Sequence, residues 1–555
     1  MKLFESNRFV DRQRVGRAAG LFAAILLIAA IPASAAGSRA QEEVTRNFEK
    51  SLTLGAGQSV RVEHKFGEVK VHGGSGRDVK ISATIRAQAS SHDEAESFVQ
   101  QIKIEVEQTS EGVRIRTVYP EEEKSWFHIS KRSSYSVNYD IAMPADAPLY
   151  VKNSFGSSIS TGIHGTADVD NSYGSITMHD AGVARLNNSF GSIELTGAAG
   201  NSTVNDNNGS VQVTDVKGTL DVRNRFGSIT VRNVQGTVTM TGGNGAVTLA
   251  DAGSATITTS FGSVDARSIR GDLSIHDNNG NVDFSTVAGG AEITNSFGNV
   301  TFSDVKGRVN CTTNNGRVKA SGLTGSSVTI RDSFGNLELE NLSGSLDAET
   351  SNGRIMVRDV RGIVTLKSSF GAIDAANVPK GIRAVTGNGA ITLADIGADT
   401  YAKTSFGSIL AERINGNLTA ENSNGSVTAR NVKGDAGVTT SFAGVTLESV
   451  GGRIRVDNQN GAISVTAMRP ANGCRDISLK TSFSSIHVRI PDGVGYNVAA
   501  RTSFGRVSSE LPVTATGNLG GDSLNGTIGA GGCQLQLTDS NGSIEIGKTE
   551  IAKTP

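Results

Sequence analysis

The feature that most constrains this chain is a corner motif that returns at nearly constant spacing through the middle of the sequence. An aromatic residue or an asparagine, followed in nearly every case by glycine, recurs at steps of 17, 18 or 19 residues. From Phe190 onward the two types alternate, so the full repeat is a double unit of 36 residues. A fixed short period indicates a repeat architecture. These marker residues, which we expect to form a structural corner ladder, are Phe155, Tyr173, Phe190, Asn208, Phe226, Asn244, Phe261, Asn279, Phe297, Asn315, Phe334, Asn352, Phe370, Asn388, Phe406, Asn424, Phe442 and Asn460.

One repeat, residues 227–244, shows what each unit contains. Ile229 and Val231 alternate with polar residues, and so do Val238 and Met240. Alternation with a period of two predicts short strands with one buried face. A second turn, of the form Val-x-Gly, separates the two strands, and glycine suits such tight corners because it lacks a Cβ atom. Each unit is therefore predicted to hold two strands and two turns.

Two architectures fit this period: an antiparallel meander of hairpins and a β-solenoid. A meander would need more strands than open twisted sheets usually contain, and it would leave its apolar face uncovered. A solenoid wraps that face inward, and each coil is stabilised by its neighbours. We therefore predict an all-β, single-stranded parallel β-solenoid (β-helix) over residues 151–468. It has coils of about 18 residues and two strands per coil. Its handedness is left open, with a right-handed wind as the default.

The marker residues have two interpretations. In the first, stacked Asn side chains bond through their amides at the corner, and the Phe side chains fill the end of the core. In the second, the Phe series is an exposed aromatic ladder that binds sugars. The first is favoured here because phenylalanine lacks the polar group that Tyr and Trp bring to binding surfaces.

A second series of polar residues precedes the Val-x-Gly turn. Asp and Asn side chains at turns bond nearby backbone groups, so a structural role is expected. A calcium ladder is the alternative, but clustered carboxylates and a glycine-aspartate nonapeptide repeat are both missing. No cofactor and no metal are therefore expected. The series consists of Asp215, Asn233, Asp251, Asp304, Asn341, Asp359, Asn377, Asp395 and Asn431.

The N-terminal residues 1–36 have the pattern of a secretory signal peptide. Basic residues from Lys2 to Arg17 precede an apolar run from Ala18 to Ile31, and small residues follow it. Cleavage is expected after Ala35 or Ala36. The apolar run is short for a membrane span, and no second one follows, so no membrane span is expected after cleavage. The predicted location is exported: periplasm, cell surface or extracellular.

Residues 41–150 are predicted to form an N-terminal β-rich capping module. Its one expected helix runs over residues 91–102, with Ser91 as the N-cap and an apolar face that includes Phe98 and Val99. A charged loop follows, with Trp126 and Phe127 at its centre. These two rings either plug the first coil or form a contact site for a partner or for the membrane face.

Residues 469–555 are predicted to be irregular last coils and a C-terminal cap, because the marker spacing stretches there. The next corners lie near Phe483, Phe504, Asn525 and Asn541. Cys474 and Cys533 fall in this region and form a possible disulfide if the compartment is oxidising. Cys311, inside the regular coils, is expected to be a small core residue.

No catalytic motif emerges from the sequence, so no catalytic or cofactor-binding residue is assigned and the chain is not expected to be an enzyme. A net charge of −1 gives no basic footprint for nucleic acid. Carboxylates in the coils are thinly spread, and stacking decides which of them meet. They include Glu194, Asp265, Asp283, Glu338 and Asp374.

The corners Asn188 to Ile193 and Asn207 to Val211, with the signal peptide and the strand-rich lead-in, resemble a bacterial family. It is labelled "putative adhesin" or domain of unknown function. The resemblance implies a non-enzymatic envelope or surface β-solenoid that presents a repetitive polar surface as an adhesin or scaffold. Its partner would be a polysaccharide or protein of the cell surface or envelope. Two alternatives stay open: a periplasmic envelope-stress or maintenance factor that binds a protein partner, and a polysaccharide lyase or glycosidase of the β-helix type.

Overall fold

A computed structural model describes residues 41–120, 133–467, 473–516 and 520–549 of the chain. The predicted signal peptide, the loop with Trp126 and Phe127, and residues 468–472 lie outside the described residues. No helix in the described part of the chain is long and apolar enough to cross a membrane.

The N-terminal part contains seven strands and one helix. They are β1 (Glu42–Thr53), β2 (Ser59–Glu63), β3 (Val69–Gly74), β4 (Asp78–Ala89), α1 (His92–Gln101), β5 (Lys103–Thr109), β6 (Gly112–Val118) and β7 (Ser134–Pro144).

The remaining strands form the rod and its C-terminal end. They are β8 (Leu149–Phe155), β9 (Ser158–Tyr173), β10 (Ile176–Phe190), β11 (Ile193–Ala198), β12 (Ser202–Asn208), β13 (Val211–Val216), β14 (Leu220–Phe226), β15 (Ile229–Val234), β16 (Val238–Asn244), β17 (Val247–Ala252), β18 (Ala255–Phe261), β19 (Val264–Ile269), β20 (Leu273–Asn279), β21 (Val282–Val287), β22 (Ala291–Phe297), β23 (Val300–Val305), β24 (Val309–Asn315), β25 (Val318–Leu323), β26 (Ser327–Arg331), β27 (Leu337–Leu342), β28 (Ser345–Thr350), β29 (Ile355–Val360), β30 (Val364–Ser368), β31 (Ile373–Val378), β32 (Ile382–Val385), β33 (Ile391–Ile396), β34 (Thr400–Thr404), β35 (Ile409–Ile414), β36 (Leu418–Asn422), β37 (Val427–Val432), β38 (Ala436–Thr440), β39 (Val445–Val450), β40 (Ile454–Asn458), β41 (Ile463–Ala467), β42 (Ile477–Lys480), β43 (Ile486–Ile490), β44 (Tyr496–Arg501), β45 (Val507–Ser509), β46 (Val513–Ala515), β47 (Ser523–Ile528), β48 (Cys533–Thr538) and β49 (Ile544–Lys548).

These strands build a parallel β-solenoid with two sheets. Sheet one contains the strands that follow a marker corner, the odd-numbered strands from β11 to β43, and each pairs in parallel with the one a coil later. Sheet two contains the strands that end at a marker corner, the even-numbered strands from β12 to β42. Each coil contributes one strand to each sheet, so the predicted fold class, two-strand coil and coil length of about 18 residues are confirmed. The right-handed wind stays a prediction.

The core lies between the two sheets and follows the alternation of the sequence. Ile229 and Val231 of β15 and Val238 and Met240 of β16 are all almost completely buried, as is Val234 before the second turn. The next coil places Val247 and Leu249 directly beside Ile229 and Val231. Identical registers repeat along the rod, so one continuous apolar column runs through it and each coil is covered by its neighbours.

The Val-x-Gly corner depends on one residue in the left-handed backbone conformation. Asn233 has φ of +54° and Asp359 has φ of +57°. Asn and Asp tolerate this region better than other residues with a Cβ atom, which explains their recurrence before the turn. The same position takes Thr286 and Arg413 in other coils, with φ of +58° and +56°.

The N-terminal part closes one end of the rod. Strands β2 and β3 already form a coil, because β2 pairs with β8 in sheet two and β3 pairs with β9 in sheet one. Strands β6 and β7 cover the outer edges of β2 and β3. The helix α1 begins after Ser91, whose side chain accepts a hydrogen bond from Glu94 N at 3.3 Å, as predicted.

At the C-terminal end the order of strands in space departs from their order in the chain. Strand β48 lies between β42 and β44, and β49 lies between β43 and β45. The chain therefore skips one coil position, builds the coil after it and then returns to fill the gap. Beyond β44, the antiparallel strands β47 and β46 cover the last edge of sheet two.

Candidate binding surface

The marker residues lie in one row along an edge of the rod. Asn208 pairs in register with Phe226, Phe226 with Asn244, and Asn244 with Phe261. Their aromatic members are exposed, from 42% at Phe155 to 83% at Phe504. We call this set the aromatic row. In the described residues it consists of Phe155, Tyr173, Phe190, Phe226, Phe261, Phe297, Phe334, Phe370, Phe406, Phe442, Phe483 and Phe504.

The expectation that these Phe side chains fill the end of the core is wrong. The corner has no room for a ring inside it, because the glycines after the markers stack backbone against backbone. A Cβ atom added at Gly298 would stand 1.9 Å from the carbonyl oxygen of Gly280, one coil earlier. The ring at Phe297 therefore projects from the outside of the corner, where it is 52% exposed.

The buried position at each corner is two residues before the marker, and sequence reasoning missed it. We call this set the inner ladder. The residues there are almost all polar, and they continue the inward-facing alternation of Leu220 and Val222. That combination, a polar residue on an otherwise apolar face, was the signal available in the sequence. The buried members include Asn153, Asn171, Asn188, Asp206, Asn224, Thr259, Asp277, Asn295, Thr313, Asp332, Thr350, Ser368, Thr386, Thr404, Asn422, Thr440, Asn458, Thr481, Thr502 and Asp539.

The amides of the inner ladder bind the backbone of the stacked corners. Asn188 Nδ2 donates to the Gly191 carbonyl at 2.8 Å and to the Gly174 carbonyl at 3.1 Å. Asn458 makes the equivalent pair, to Gly461 and Ala443, both at 2.9 Å. Each such amide joins its own corner to the corner of the preceding coil.

Three carboxylic acids of the inner ladder, Asp206, Asp277 and Asp332, have pKa values that burial raises. Burial raises the pKa of Asp206 to about 6 and that of Asp277 to about 6. Asp277 is completely buried between Thr259 and Asn295 in adjacent coils, and its carboxylate oxygens have no hydrogen-bond partner. The Oδ1 atom of Asn295 is also unpaired. A protonated Asp277 could donate to that oxygen, whereas a carboxylate could not. This position of the inner ladder therefore favours the protonated form of Asp277.

The aromatic row is straight where adjacent coils all carry rings. Phe155, Tyr173 and Phe190 stack with ring centroids 4.9 Å apart and with interplanar angles of 2° and 1°. Phe66 of the N-terminal part continues the stack, 5.3 Å from Phe155. The fold therefore accepts an aromatic ring in every coil, and the alternation with Asn after Phe190 is not imposed by crowding.

Two of the marker asparagines, Asn424 and Asn460, are tied to the backbone through their amide nitrogens. Asn424 Nδ2 donates to the Ser405 carbonyl at 3.1 Å, and Asn460 Nδ2 donates to the Ser441 carbonyl at 2.9 Å. The expected amide bonding at the corner thus connects Asn with backbone carbonyls. Asn424 is exposed, so its carbonyl side remains accessible to a donor from outside.

The two cysteines of the C-terminal region meet in the structure. Cys474, before β42, and Cys533, the first residue of β48, form a disulfide with a Cα–Cα distance of 5.7 Å. The bond connects the inserted coil to the coil beneath it. Cys311 is buried in the regular coils, and burial raises the pKa of its thiol.

The five carboxylates singled out in the sequence all lie on the outer face of sheet one, but only Asp265 and Asp283 are neighbours there. Arg267 Nε and one of its terminal nitrogens each approach Asp265 at 2.7 Å. Glu338 lies between Lys319 and Met356. Within the described ranges, no group of three His, Cys, Asp or Glu residues could hold a metal ion.

The positive-φ series before the Val-x-Gly turn forms paired contacts along the opposite corner. Asn377 Nδ2 donates to Asp359 Oδ1 at 2.9 Å, one coil earlier. Arg413 forms two hydrogen bonds to Asp395, at 2.6 and 2.9 Å, and they raise the pKa of its guanidinium. These contacts occupy the side chains with one another, in keeping with a structural role.

Comparison with known proteins gives one family match and one similar solved structure. Residues 267–378 match the family described as Toastrack DUF4097. The match runs from β19 to β31, and it confirms the family resemblance drawn from the corner motifs. A crystal structure titled as a putative cell adhesion protein from Clostridium sporogenes ATCC 15579 covers 52% of this chain and 100% of its own. It has 12% sequence identity and a TM-score of 0.17. No curated protein sequence matches the chain.

Proposed function

We propose that this Toastrack-related solenoid is an exported, non-catalytic rod that acts as an adhesion or scaffold surface of the cell envelope. The observation that carries the proposal is the aromatic row. Exposed large apolar side chains that recur in one place on a protein surface, with polar residues around them, indicate an interaction site. Here twelve exposed rings of the described residues follow one edge of the rod.

The rod is suited to contacts that are weak one at a time. Its seventeen coil steps from Phe155 to Asn460, at about 4.8 Å each, give a length of roughly 80 Å. Similar groups recur at the same place in each coil, so one partner can be held at many points at once. Linked weak contacts raise the overall affinity without any single strong one.

Two features support export. Residues 1–36 have the signal-peptide pattern, and Cys474 lies in disulfide geometry with Cys533. Disulfides persist in oxidising compartments such as the periplasm and the cell surface. A non-catalytic role is supported by the outer face of sheet one, where the acidic side chains are mostly separated by neutral or basic neighbours.

The proposal is tested by protease treatment of intact cells, with and without permeabilisation of the outer envelope, followed by detection of the mature chain. Digestion in intact cells is the expected result for an adhesin. Protection until permeabilisation would contradict adhesion and favour a periplasmic factor with an internal partner. A chain that stays in the cytoplasm would contradict export altogether.

A second experiment tests the contact itself. Purified rod is mixed with envelope preparations from the producing organism, and the bound fraction is measured after sedimentation. We expect saturable binding that weakens when the rod is shortened by whole double units of 36 residues, because fewer contacts remain. Binding that is independent of rod length would contradict a distributed surface.

A further inference from the structure

We propose that the aromatic row is a binding site for a neutral, extended polysaccharide of β-1,4-linked sugars, with one ring stacked on every second sugar. This inference rests on the proposed function and specifies its ligand. Three observations carry it: the spacing of the rings, the polar groups between them, and the scarcity of charge beside them.

The spacing of the rings gives the repeat of the ligand. From Phe190 to Phe442 the rings occur in every second coil, so they are about 9.6 Å apart. This is close to, and slightly shorter than, the length of two sugar units in an extended β-1,4-linked chain, whose successive units are related by a half turn. The stack of Phe155, Tyr173 and Phe190 shows that rings fit at one-coil spacing. The fold therefore does not require the wider spacing, and we attribute it to the role of the surface.

The groups between the rings supply the hydrogen bonds that phenylalanine lacks. An Asn lies midway between successive rings, and serine commonly stands just before the marker and just after its glycine, as at Ser405 and Ser408 around Phe406. A ring that stacks on one sugar would leave the next sugar over Asn424, whose amide nitrogen is already bound to the rod. The remaining amide oxygen and the serine hydroxyls can pair with sugar hydroxyls.

The charge beside the row indicates a neutral ligand. Between Phe155 and Asn460, the residues directly before each marker and directly after each corner glycine include no Asp or Glu. They include three arginines: Arg225, Arg317 and Arg354. An anionic polymer would be expected to face a regular series of cations, and a cationic one a series of carboxylates.

A second copy of the chain is the competing occupant. Two rows could interdigitate only if the Phe rings of one rod covered the Asn and Ser residues of the other. Those polar groups would then lose their hydrogen bonds to water without gaining partners, which is unfavourable. A glycan satisfies the same groups with its hydroxyls, so the polar residues between the rings favour the glycan.

The test uses a variant that the fold already tolerates. Phe334, Phe370, Phe406 and Phe442 are replaced together by Asn, the residue that occupies the same position in the coils between them. The matched control is Tyr401→Thr, which removes an aromatic ring from the outer face of sheet two, where Thr419 is its neighbour in the next coil. Far-ultraviolet circular dichroism and thermal unfolding establish that both variants fold. If the quadruple variant does not, the two double variants replace it.

Retention on insoluble chitin and cellulose is compared with retention on insoluble starch, an α-linked control. We expect the wild-type rod to be retained on the two β-linked glycans and not on starch. The quadruple Asn variant should show a bound-to-free ratio at least about tenfold lower, because four stacking contacts are lost. Tyr401→Thr should stay within about twofold of wild type, the range of most surface substitutions.

Three results would overturn the proposal: no retention on either β-linked glycan, equal retention on starch, or full retention of the quadruple variant. Light scattering tests the competing occupant. A wild-type dimer that the quadruple variant converts to a monomer would assign the row to a second copy and not to a glycan. A rod that binds envelope preparations but neither glycan would overturn this inference and leave the adhesion proposal standing.

Discussion

The corners up to Asn315 and those from Phe334 onward share the same marker signature but close differently. In the first half, the strands of sheet two run through the marker, and the corner glycine bonds to the next coil; Gly191 N donates to the Asn208 carbonyl at 2.9 Å. In the second half the strand ends about two residues earlier, and the N–H of the corner glycine donates to a side chain of the inner ladder instead. Gly371 N donates to Ser368 Oγ at 2.9 Å.

This difference changes the backbone and the exposure of the row. Most corner glycines of the first half have a positive φ, as Gly298 does at +128°, although Gly209 and Gly280 do not. Gly371 in the second half does not adopt a positive φ. Phe297 is 52% exposed and Phe370 is 61% exposed. One sequence signature therefore supports two corner geometries, and the side chain two positions before the marker accepts the N–H of the corner glycine only in the second half.

The largest effect is expected from alanine at the corner glycines. Gly298→Ala introduces a Cβ 1.9 Å from the Gly280 carbonyl oxygen and also strains φ, so the local free energy of unfolding should fall by about 5 kcal/mol. Gly371→Ala places its Cβ atom 1.8 Å from the Gly353 carbonyl oxygen, a clash of the same kind without the φ strain. It should lower the local free energy of unfolding by about 3 kcal/mol. Hydrogen exchange of the flanking strands measures both losses. Equal losses would contradict two corner types.

The buried acid Asp277 should make the local stability of the first half depend on pH. Burial raises the pKa of Asp277 to about 6, above its unfolded value of about 3.9. Stability from this rung is therefore greatest below about pH 4 and falls as the pH rises to about 6, because the unfolded chain ionises first. Asp277→Asn should raise local stability by about 3 kcal/mol at pH 7 and leave it unchanged at pH 3. Hydrogen exchange at the two pH values tests this.

Asp332→Asn is the matched control in the second half. Its carboxylate accepts hydrogen bonds from Gly335 N and from Thr350 Oγ1 at 3.1 Å, so its ionised form is better satisfied than that of Asp277. A smaller gain at pH 7 is expected. An equal gain from the two variants would show that hydrogen bonding at the rung does not matter.

Replacing a hydroxyl group of the inner ladder should lower the stability of the second half and raise that of the first. Thr386 Oγ1 donates to the Gly371 carbonyl at 3.0 Å and accepts from Gly389 N at 3.3 Å, so Thr386→Val should cost about 2 kcal/mol. Thr259 Oγ1 is buried without a partner, so Thr259→Val should stabilise by about 1 kcal/mol. Local hydrogen exchange compares the pair. Losses of similar size would refute the different bonding of the two rungs.

The smallest effect is expected at the opposite corner, whose left-handed residue recurs in both halves. Thr286 is β-branched with φ of +58°, so Thr286→Asn should stabilise by about 1 kcal/mol. Ser449→Asn, in the second half with φ of +59°, should gain less because serine is not branched at Cβ. Thermal unfolding is sufficient to rank the two. A larger gain at Ser449 would show that neighbouring contacts, and not backbone strain, decide this position.

The regular part of the rod could be predicted from local sequence patterns. Alternation at Ile229 and Val231 predicted buried strands, and the Asp and Asn residues before Val-x-Gly predicted turns; the left-handed conformation of Asp215 and Asn233 emerged only in the structure. The placement of Phe297 failed, because periodicity gives the position of a ring at a corner but not the side on which the backbone leaves space. That side depends on how closely Gly298 approaches Gly280, a contact between coils.

The C-terminal end shows where such rules stop. Ile477 pairs with Leu535, and Ile486 pairs with Ile544, nearly sixty residues later. The strands in between have the same alternation and could have taken those places equally well. Choosing among equivalent registers depends on the whole set of turns and caps at this end, which a local pattern does not contain.

The inserted coil also constrains the order in which the coils can form. Coils up to β43 can stack in the order in which the chain emerges, each on a finished neighbour. The coil of β48 and β49 breaks that order, since it enters between a coil that precedes it and one that is already beyond it. A chain that lacks its last residues would leave two coil edges facing an empty gap. Closure of the Cys474–Cys533 bond therefore requires that the chain has reached β48 and that the inserted coil has started to occupy the gap.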